Sequence, residues 1–255
     1  MWVFCCGMYR SASTLQFQIT TRVIKDAGRG QQVGWIDANR FLEVRDSYAN
    51  YTGLKVVKVH RFTEPIGWEF TQNKAMGIYT FRDMRDVYAS MMQQQQKSFT
   101  DIWNWQGKDF IETCLENYKK WTELPEVIIS NYEKILQNIP REVKRIAQHL
   151  NIDIHLSECQ KIAADYSLEM QQERIKQFRD KLLQMQRHPD DHREIVDYHD
   201  EDSLLHMNHI DAVKSGRWIE DLSAEEVALI ENKIKDWCRF NKYEPSTFLY
   251  LNKVA

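Results

Sequence analysis

The first half of the chain alternates between short apolar runs and longer segments in which apolar residues recur at helical spacing. The apolar runs predict five strands, at residues 2–6, 32–36, 55–60, 76–81 and 126–130. The helical spacing predicts helices over residues 13–27, 39–51, 85–95 and most of 100–124. Strands separated by helices predict a parallel sheet with right-handed crossovers and with helices on both faces.

The second half of the chain has no strand pattern. Its periodicity predicts helices over residues 140–151, 157–187 and 223–240. Ser223, followed three residues later by Glu226, predicts a capping box at the start of the last of these helices. The polar, acidic segment at about 188–212 predicts a long loop over the surface.

The composition is that of a folded protein of ordinary charge. A chain of 255 residues, 43% of them apolar, predicts one domain over 1–255, with an α/β core at 1–138 and a mainly helical part at 139–255. A net charge of −3 does not point to nucleic acid or a membrane as partner, so an anion site must be built locally. The five cysteines lack Cys-x-x-Cys spacing, which is typical of reduced thiols. With no signal peptide or apolar span, we expect a cytoplasmic protein, either a monomer or a homodimer.

The segment VFCCGMYRSAST joins a predicted strand to a predicted helix through a short loop. Such a loop binds phosphate, because the unpaired amides and the positive end of the helix dipole face the anion. Against the triphosphatase pattern G-x-x-x-x-G-K-[ST], Gly7 and Thr14 match, Ala12 replaces the second glycine, and Ser13 stands at the lysine position. The missing lysine disfavours an ordinary ATPase or kinase loop.

The same loop, Arg10-Ser11-Ala12-Ser13-Thr14, resembles the [KR]-S-G-T-T loop of the PAPS-dependent sulfotransferases. Further segments, in the family's order, resemble its other motifs: VVKVHRF, TFRDMRDVYAS, VIISNYEKI, DYSLEMQQERI and KSGRWIEDLS. The resemblance covers about the whole chain. It implies a three-layer α/β/α fold, similar to the P-loop NTPases, whose first part binds nucleotide and whose C-terminal part is helical. It also implies PAPS as sulfuryl donor, PAP as product and no required metal.

The resemblance assigns roles to individual residues. His60 is the implied base and Lys58 the cation at the bridging oxygen, while Arg10 occupies the position of the family's catalytic lysine. Glu64 is a reserve base. Sulfuryl transfer is an in-line displacement that depends on positioning and on electrostatic stabilisation. The implied nucleotide-binding residues are Arg10, Ser11, Ala12, Ser13, Thr14, Leu15, Arg82, Ser90, Tyr132, Lys214, Ser215, Gly216 and Arg217.

The acceptor is less constrained by the sequence than the donor. An aromatic cluster, Phe99, Trp103, Trp105 and Phe110, either lines a small-molecule pocket or belongs to the core. The acidic run 190–202 would suit a cationic, guanidinium-bearing natural product. Phenol, alcohol, amine, sugar and tyrosine acceptors stay open, and both O- and N-sulfation remain candidates. The histidines and aspartates of that region lack a fixed metal-ligand spacing, which favours a solvated loop.

Two other functions compete with sulfuryl transfer. A nucleotide or small-molecule kinase of the P-loop class would need a Walker lysine and a magnesium-binding aspartate, and neither is placed. A nucleotide-binding protein without turnover is the second alternative, because the methyl group of Ala12 could obstruct the approach of backbone to phosphate.

Overall fold

The computed structural model describes residues 1–185, 194, 198–207 and 215–246. All five predicted strands are present and form one sheet in the order β2-β3-β1-β4-β5, with every pair parallel. Their bounds are β1 Trp2–Gly7, β2 Gly30–Trp35, β3 Leu54–Lys58, β4 Ala75–Phe81 and β5 Val127–Asn131. Because β1 is central, the loop that leaves its carboxyl end lies between those of β3 and β4.

Helices surround the sheet in the described part of the chain. They are α1 Ser13–Asp26, α2 Phe41–Ser47, α3 Glu64–Thr71, α4 Met84–Gln95, α5 Phe99–Trp103, α6 Phe110–Thr122, α7 Tyr132–Gln137, α8 Ile139–His149, α9 Leu156–Asp165, α10 Leu168–Gln184, α11 Trp218–Asp221 and α12 Ala224–Asn241. Two 3-10 turns, Ala38–Arg40 and Trp105–Gly107, precede α2 and α6. Within these residues, no helix is both long and apolar enough to cross a bilayer.

The sheet buries both of its faces. Alternation along β1 places Phe4 in one core, with residues of α3, α4, α6 and α12, and Val3 in the other, with residues of α1, α8 and α9. This arrangement confirms the predicted three layers with a central parallel sheet and a helical C-terminal part. A strand that is buried on both faces also explains the unbroken apolar run WVFCC.

Several predicted helices differ from the structure in extent. The helix predicted over 157–187 is two helices, because Ser167 accepts a hydrogen bond from the Met170 N–H and caps a new helix there. The helix predicted over 100–124 is likewise divided, and Asp109 caps α6. The short helices α3 and α7 were not predicted, since neither is long enough to show clear periodicity. The capping box of Ser223 and Glu226 is confirmed.

Residues 198–207 of the acidic segment fold back through an isolated bridge between His199 and His206. They are attached to α1 and β2: Gln18 donates to the Ser203 carbonyl at 2.7 Å, and Gln32 donates to the Asp202 carbonyl at 2.8 Å. Leu204 is buried in the core that also contains α1. This part of the predicted loop is therefore packed onto the domain.

Candidate active site

The loop between β1 and α1 is shaped by a close approach to β4. A Cβ atom on Gly7 would lie 2.1 Å from the Thr80 hydroxyl and 2.7 Å from its carbonyl oxygen, so no larger residue fits there. The buried Ser11 hydroxyl is hydrogen bonded to that same hydroxyl at 2.8 Å and donates to the Met8 carbonyl at 2.7 Å. The Ser11 hydroxyl therefore holds the loop in place and is already hydrogen bonded within the protein. The backbone of the loop is then the group that can face a ligand.

The apex of the loop adopts a left-handed backbone. Arg10 has φ 58° and Ala12 has φ 67°, a region in which glycine is favoured over residues with a Cβ. Ala12 is the N-cap of α1, and no described side chain caps this helix by a hydrogen bond. The first N–H groups of a 14-residue helix thus point out of the loop without a side-chain acceptor, which is the arrangement that binds an anion.

Lys58 ends β3 beside this helix. Its ammonium group donates to the Thr14 hydroxyl at 2.5 Å, and the residue is only 5% exposed. Burial lowers the pKa of Lys58 to about 8, and the nearby charge of Arg10 acts in the same direction. The predicted cation therefore lies at the phosphate-binding loop, in its charged form at neutral pH.

His60 follows β3 by two residues and is held from several sides. Its Nδ1 lies 3.3 Å from the Gly7 carbonyl, which can only accept, so Nδ1 carries the proton and Nε2 keeps its lone pair. Tyr9 stacks on the ring at 5.2 Å, and the His60 carbonyl accepts from Asn117 and Trp121 of α6. Burial, followed by the charge of Lys58, lowers the pKa of His60 to about 4. The imidazole is neutral at pH 7.

The motif TFRDMRDVYAS supplies a second cationic region. The Arg82 guanidinium donates to the Arg10 carbonyl at 3.3 Å and lies 4.2 Å from the centre of the Tyr132 ring. Arg10 itself donates from Nε to the Ser90 hydroxyl at 2.9 Å. The loop after β1, the segment from the end of β4 into α4, and the start of α7 therefore meet here. Arg85 faces the other way, towards Asp83 and Glu231.

A cavity of about 480 Å³ joins these groups. Of the predicted site residues, eleven line it: Arg10, Ser11, Ala12, Ser13, Thr14, Leu15, Lys58, His60, Arg82, Ser90 and Tyr132. Its wall also contains residues that the sequence did not single out: Gln18, Gln94, Leu136, Ile139, Tyr166, Ser167, Leu168, Gln171 and Leu205. The one sequence signal for part of this wall is DYSLEMQQERI, which the resemblance covered without assigning it a role.

Other predicted residues lie outside the cavity wall. Ser215, Gly216 and Arg217 do not line it. The Gly216 N–H donates to Asp86 in the first turn of α4, and Arg217 pairs with Asp221 of α11. Lys214 lies outside the described residues. Glu64, the reserve base, is exposed at the start of α3 and does not line the cavity.

The aromatic cluster predicted for an acceptor is packed into the protein. Phe110 is buried against Tyr9 and Tyr88, and Phe99 and Trp103 pack on one another. Phe99, Trp103 and Trp105 are partly buried against the same core, and none of the four lines the cavity. Of the two alternatives, the structure favours the core.

The acidic segment borders a different groove. Glu201 and Asp202 line a groove of about 600 Å³ beside β2 that also contains the exposed Trp35, and no described residue lines both this groove and the cavity. Among the residues that the structure describes, no three His, Cys, Asp or Glu side chains form a cluster that could hold a metal ion. His188, Asp190, Asp191, His192 and His209 of the predicted loop lie outside those residues.

The fold and the cavity define an α/β protein with a phosphate-binding loop, a buried lysine and a neutral histidine. The chain belongs to the sulfotransferase domain family, whose model matches residues 11–209. This finding confirms the resemblance in the sequence. Among proteins of curated function, none matches the chain in sequence.

Solved structures share the fold at low sequence identity. Retinol dehydratase in a complex with retinol and PAP is 17% identical, with a TM-score of 0.62 over 93% of this chain and 81% of that chain. The same enzyme with androsterone and the inactive cofactor PAP is 17% identical, with a TM-score of 0.63 over 93% and 80%. Mouse sulfotransferase SULT7A1 with PAP is 15% identical, with a TM-score of 0.61 over 94% and 84%.

Proposed function

We propose that the protein binds PAPS in this cavity and transfers its sulfuryl group to a hydroxyl or amine of a small-molecule acceptor, with His60 as base. The observation that carries the proposal is the position of Lys58 and the neutral His60 beside the uncapped start of α1. Sulfuryl transfer needs an anion site, a cation and a proton acceptor together. These two side chains and the helix supply all three.

The nucleotide is oriented by the two ends of the cavity. The N–H groups at the start of α1 and the hydroxyl of Thr14 hold the 5′-phosphosulfate, because this loop carries the helix dipole and the Lys58 charge. Arg82 and Ser90 hold the 3′-phosphate. Leu136, Ile139 and Leu168 supply an apolar wall for the adenine. The presence of PAP in the three similar structures supports PAP as the nucleotide.

In the transfer step, the Nε2 atom of His60 takes the proton of the acceptor O–H or N–H. The acceptor atom attacks the sulfur in line, and the bond between sulfur and the bridging oxygen of the 5′-phosphate breaks. Its electron pair leaves with PAP, next to the ammonium group of Lys58. A base of pKa about 4 is weak, so the Lys58 charge must stabilise the leaving oxygen strongly for the step to be fast.

For the acceptor, we propose a small molecule, since the retinol dehydratase structures hold retinol and androsterone. A cationic, guanidinium-bearing natural product is a narrower proposal from the acidic run. The described carboxylates Glu201 and Asp202 give it no support, because they line the separate groove beside β2. Burial and the charges of Lys58 and Arg10 also disfavour a cation at the cavity. We place the reaction in the cytoplasm, because all five cysteines are free thiols.

The experiment is a melting titration with PAP, AMP, ADP and ATP, each with and without magnesium. A ligand at about a hundred times its dissociation constant adds roughly 2.7 kcal/mol of stability, which shifts the melting temperature measurably. We expect stabilisation by PAP that exceeds that by AMP and does not require magnesium. Stabilisation by ATP with magnesium alone would support a kinase. PAP binding without transfer to any hydroxyl or amine acceptor would support the nucleotide-binding protein without turnover.

A further inference from the structure

Asp86, in the first turn of α4, joins the C-terminal segment 215–218 to the body of the protein. Its side chain is only 1% exposed. One carboxylate oxygen accepts from the Gly216 N–H at 2.8 Å, and the other accepts from the Trp218 N–H at 3.1 Å. Gly216 has φ 78°, which turns the chain so that both N–H groups reach one carboxylate.

The same carboxylate also pairs with the cation of the proposed 3′-phosphate site. The Arg82 Nη2 lies 3.3 Å from the Asp86 oxygen that Gly216 contacts. The other terminal nitrogen of Arg82 donates to the Arg10 carbonyl of the phosphate-binding loop. One buried carboxylate therefore links the C-terminal segment, through Arg82, to that loop.

The other face of the segment is fixed independently. The Arg85 guanidinium stacks on the Trp218 ring at 4.1 Å and is itself paired with Asp83 and Glu231. Loss of the Asp86 contacts would therefore loosen the backbone at Gly216 without releasing the tryptophan. Burial raises the pKa of Asp86, while Arg82 and the two N–H groups oppose this rise and favour the carboxylate.

We propose that Asp86 is a positioning residue that holds segment 215–218 against α4 and orients Arg82, so that recognition of the 3′-phosphate depends on both. This inference rests on the proposed function for the identity of the nucleotide. Charge alone makes the opposite prediction. Removal of a carboxylate next to Arg82 would strengthen phosphate binding if Asp86 acted only through its charge. If removal of the Asp86 carboxylate weakens the preference for a 3′-phosphate, Asp86 therefore acts by positioning and not by its charge.

The test compares Asp86→Asn with wild type in two measurements. The first is hydrogen exchange at the Gly216 and Trp218 amides, which we expect to be at least about tenfold faster at one or both in the variant, because asparagine is uncharged and has one acceptor oxygen in place of two. The second is the ratio of PAP to AMP affinity, since AMP differs from PAP only in lacking the 3′-phosphate. We expect this ratio to fall about tenfold, with AMP affinity unchanged within about twofold.

Glu69→Gln is the matched control. It also removes a buried carboxylate that pairs with an arginine, but Glu69 lies on α3, does not line the cavity and pairs with Arg45. Its PAP to AMP ratio should equal that of wild type. Gly216→Ala perturbs the segment itself, because alanine disfavours the backbone conformation of Gly216. This variant should show the same fall in the PAP to AMP ratio, even if Asp86→Asn folds poorly.

Three results would overturn the inference: unchanged amide exchange in Asp86→Asn, an equal loss of PAP and AMP affinity, or a rise in the PAP to AMP ratio. A wild-type protein that binds PAP no better than AMP would instead overturn the proposed nucleotide. In that case, faster amide exchange in Asp86→Asn would still establish that Asp86 holds the segment.

Discussion

The ammonium group of Lys58 donates a hydrogen bond of 2.5 Å to the hydroxyl of Thr14, which joins the end of β3 to the first turn of α1. Neither residue is near the other in sequence, and their contact places a buried positive charge at the start of the helix. The pKa of Lys58 is lowered to about 8, so the charge is present at neutral pH and is lost in mildly alkaline solution.

Replacement of Lys58 by methionine should lower kcat about 10²- to 10³-fold, because one electrostatic stabiliser of the leaving oxygen is removed. In wild type, the protonated form is needed, so kcat should fall as pH rises through about 8. Lys58→Arg, whose side chain stays protonated, should lack this alkaline fall. The measurement is kcat from pH 6 to 10. Activity of Lys58→Met within threefold of wild type would exclude the assigned role.

Replacement of His60 by glutamine should lower kcat about 10²- to 10⁴-fold, the range for loss of a general base. PAP affinity should stay within about twofold, because the proposed role of the imidazole is to take the acceptor's proton and not to bind the nucleotide. With a pKa of about 4, wild type should show no change in kcat/KM around pH 6.5 and an acid limb only below about pH 5. Undiminished transfer by His60→Gln would remove His60 from the base role.

The pH dependence of the protein's stability should also show that His60 is neutral in the folded state. Its pKa is lowered to about 4, so between pH 4 and 6.5 the unfolded chain binds more protons than the folded one, and stability rises with pH. His206, whose pKa is also lowered to about 4, contributes in the same direction. The urea midpoint of wild type should rise as the pH is raised from 5 to 7. The midpoint of His60→Gln should rise less steeply over the same range. Equal slopes in the two proteins would contradict a neutral His60.

Replacement of Arg82 by alanine should lower PAP affinity about 10- to 100-fold and leave AMP affinity within about threefold, because only the 3′-phosphate loses a charged partner. The variant leaves Asp86 without its ion pair and should be less stable than wild type. The ratio of PAP to AMP affinity, measured by calorimetry, separates the two effects. An unchanged ratio would place the 3′-phosphate elsewhere.

Replacement of Ala12 by glycine should leave the free energy of unfolding unchanged or raise it by up to about 1 kcal/mol. The left-handed backbone at φ 67° costs alanine about 1–2 kcal/mol, and the greater freedom of glycine in the unfolded chain offsets part of the gain. Ala12→Val should lose stability, because a β-branched residue is still less compatible with this conformation. Urea denaturation at pH 7 measures both. A glycine variant less stable than wild type would show that the loop is unstrained.

The fold could be predicted from local patterns, because buried parallel strands are continuous apolar runs and amphipathic helices repeat every three to four residues. Periodicity predicted the wrong helix boundaries where a single capping side chain ends one helix and begins the next. The run 157–187 is helical by composition throughout, and a single serine at 167 divides it. Helix α7 begins at Tyr132 within a motif, and at six residues it is too short to show a period.

The cavity could be predicted only in part. Motifs identified its loop, its lysine and its histidine, since each lies at or just after the carboxyl end of a strand and such ends meet at one edge of a parallel sheet. Motifs did not assign roles to Gln171 and Leu168, which come from α10 and lie about 150 residues from the loop. Gln171 reaches the loop helix by donating to Gln18, a contact between two helix faces that has no sequence signature.

The sequence by itself determined the five strands, the longer helices, the loop after β1 and the residue types of the site, because these depend on spacing along the chain. Only the tertiary structure decided the protonation and the partners of those residues. Burial lowers the pKa of both residues, Lys58 and His60, and a nearby charge lowers each one further: Arg10 acts on Lys58, to give about 8, and Lys58 acts on His60, to give about 4. Arg82 pairs with Asp86 and lines the cavity, whereas Arg85 pairs with Asp83 and Glu231 and does not. Burial and the distance between charges exist only in the folded chain.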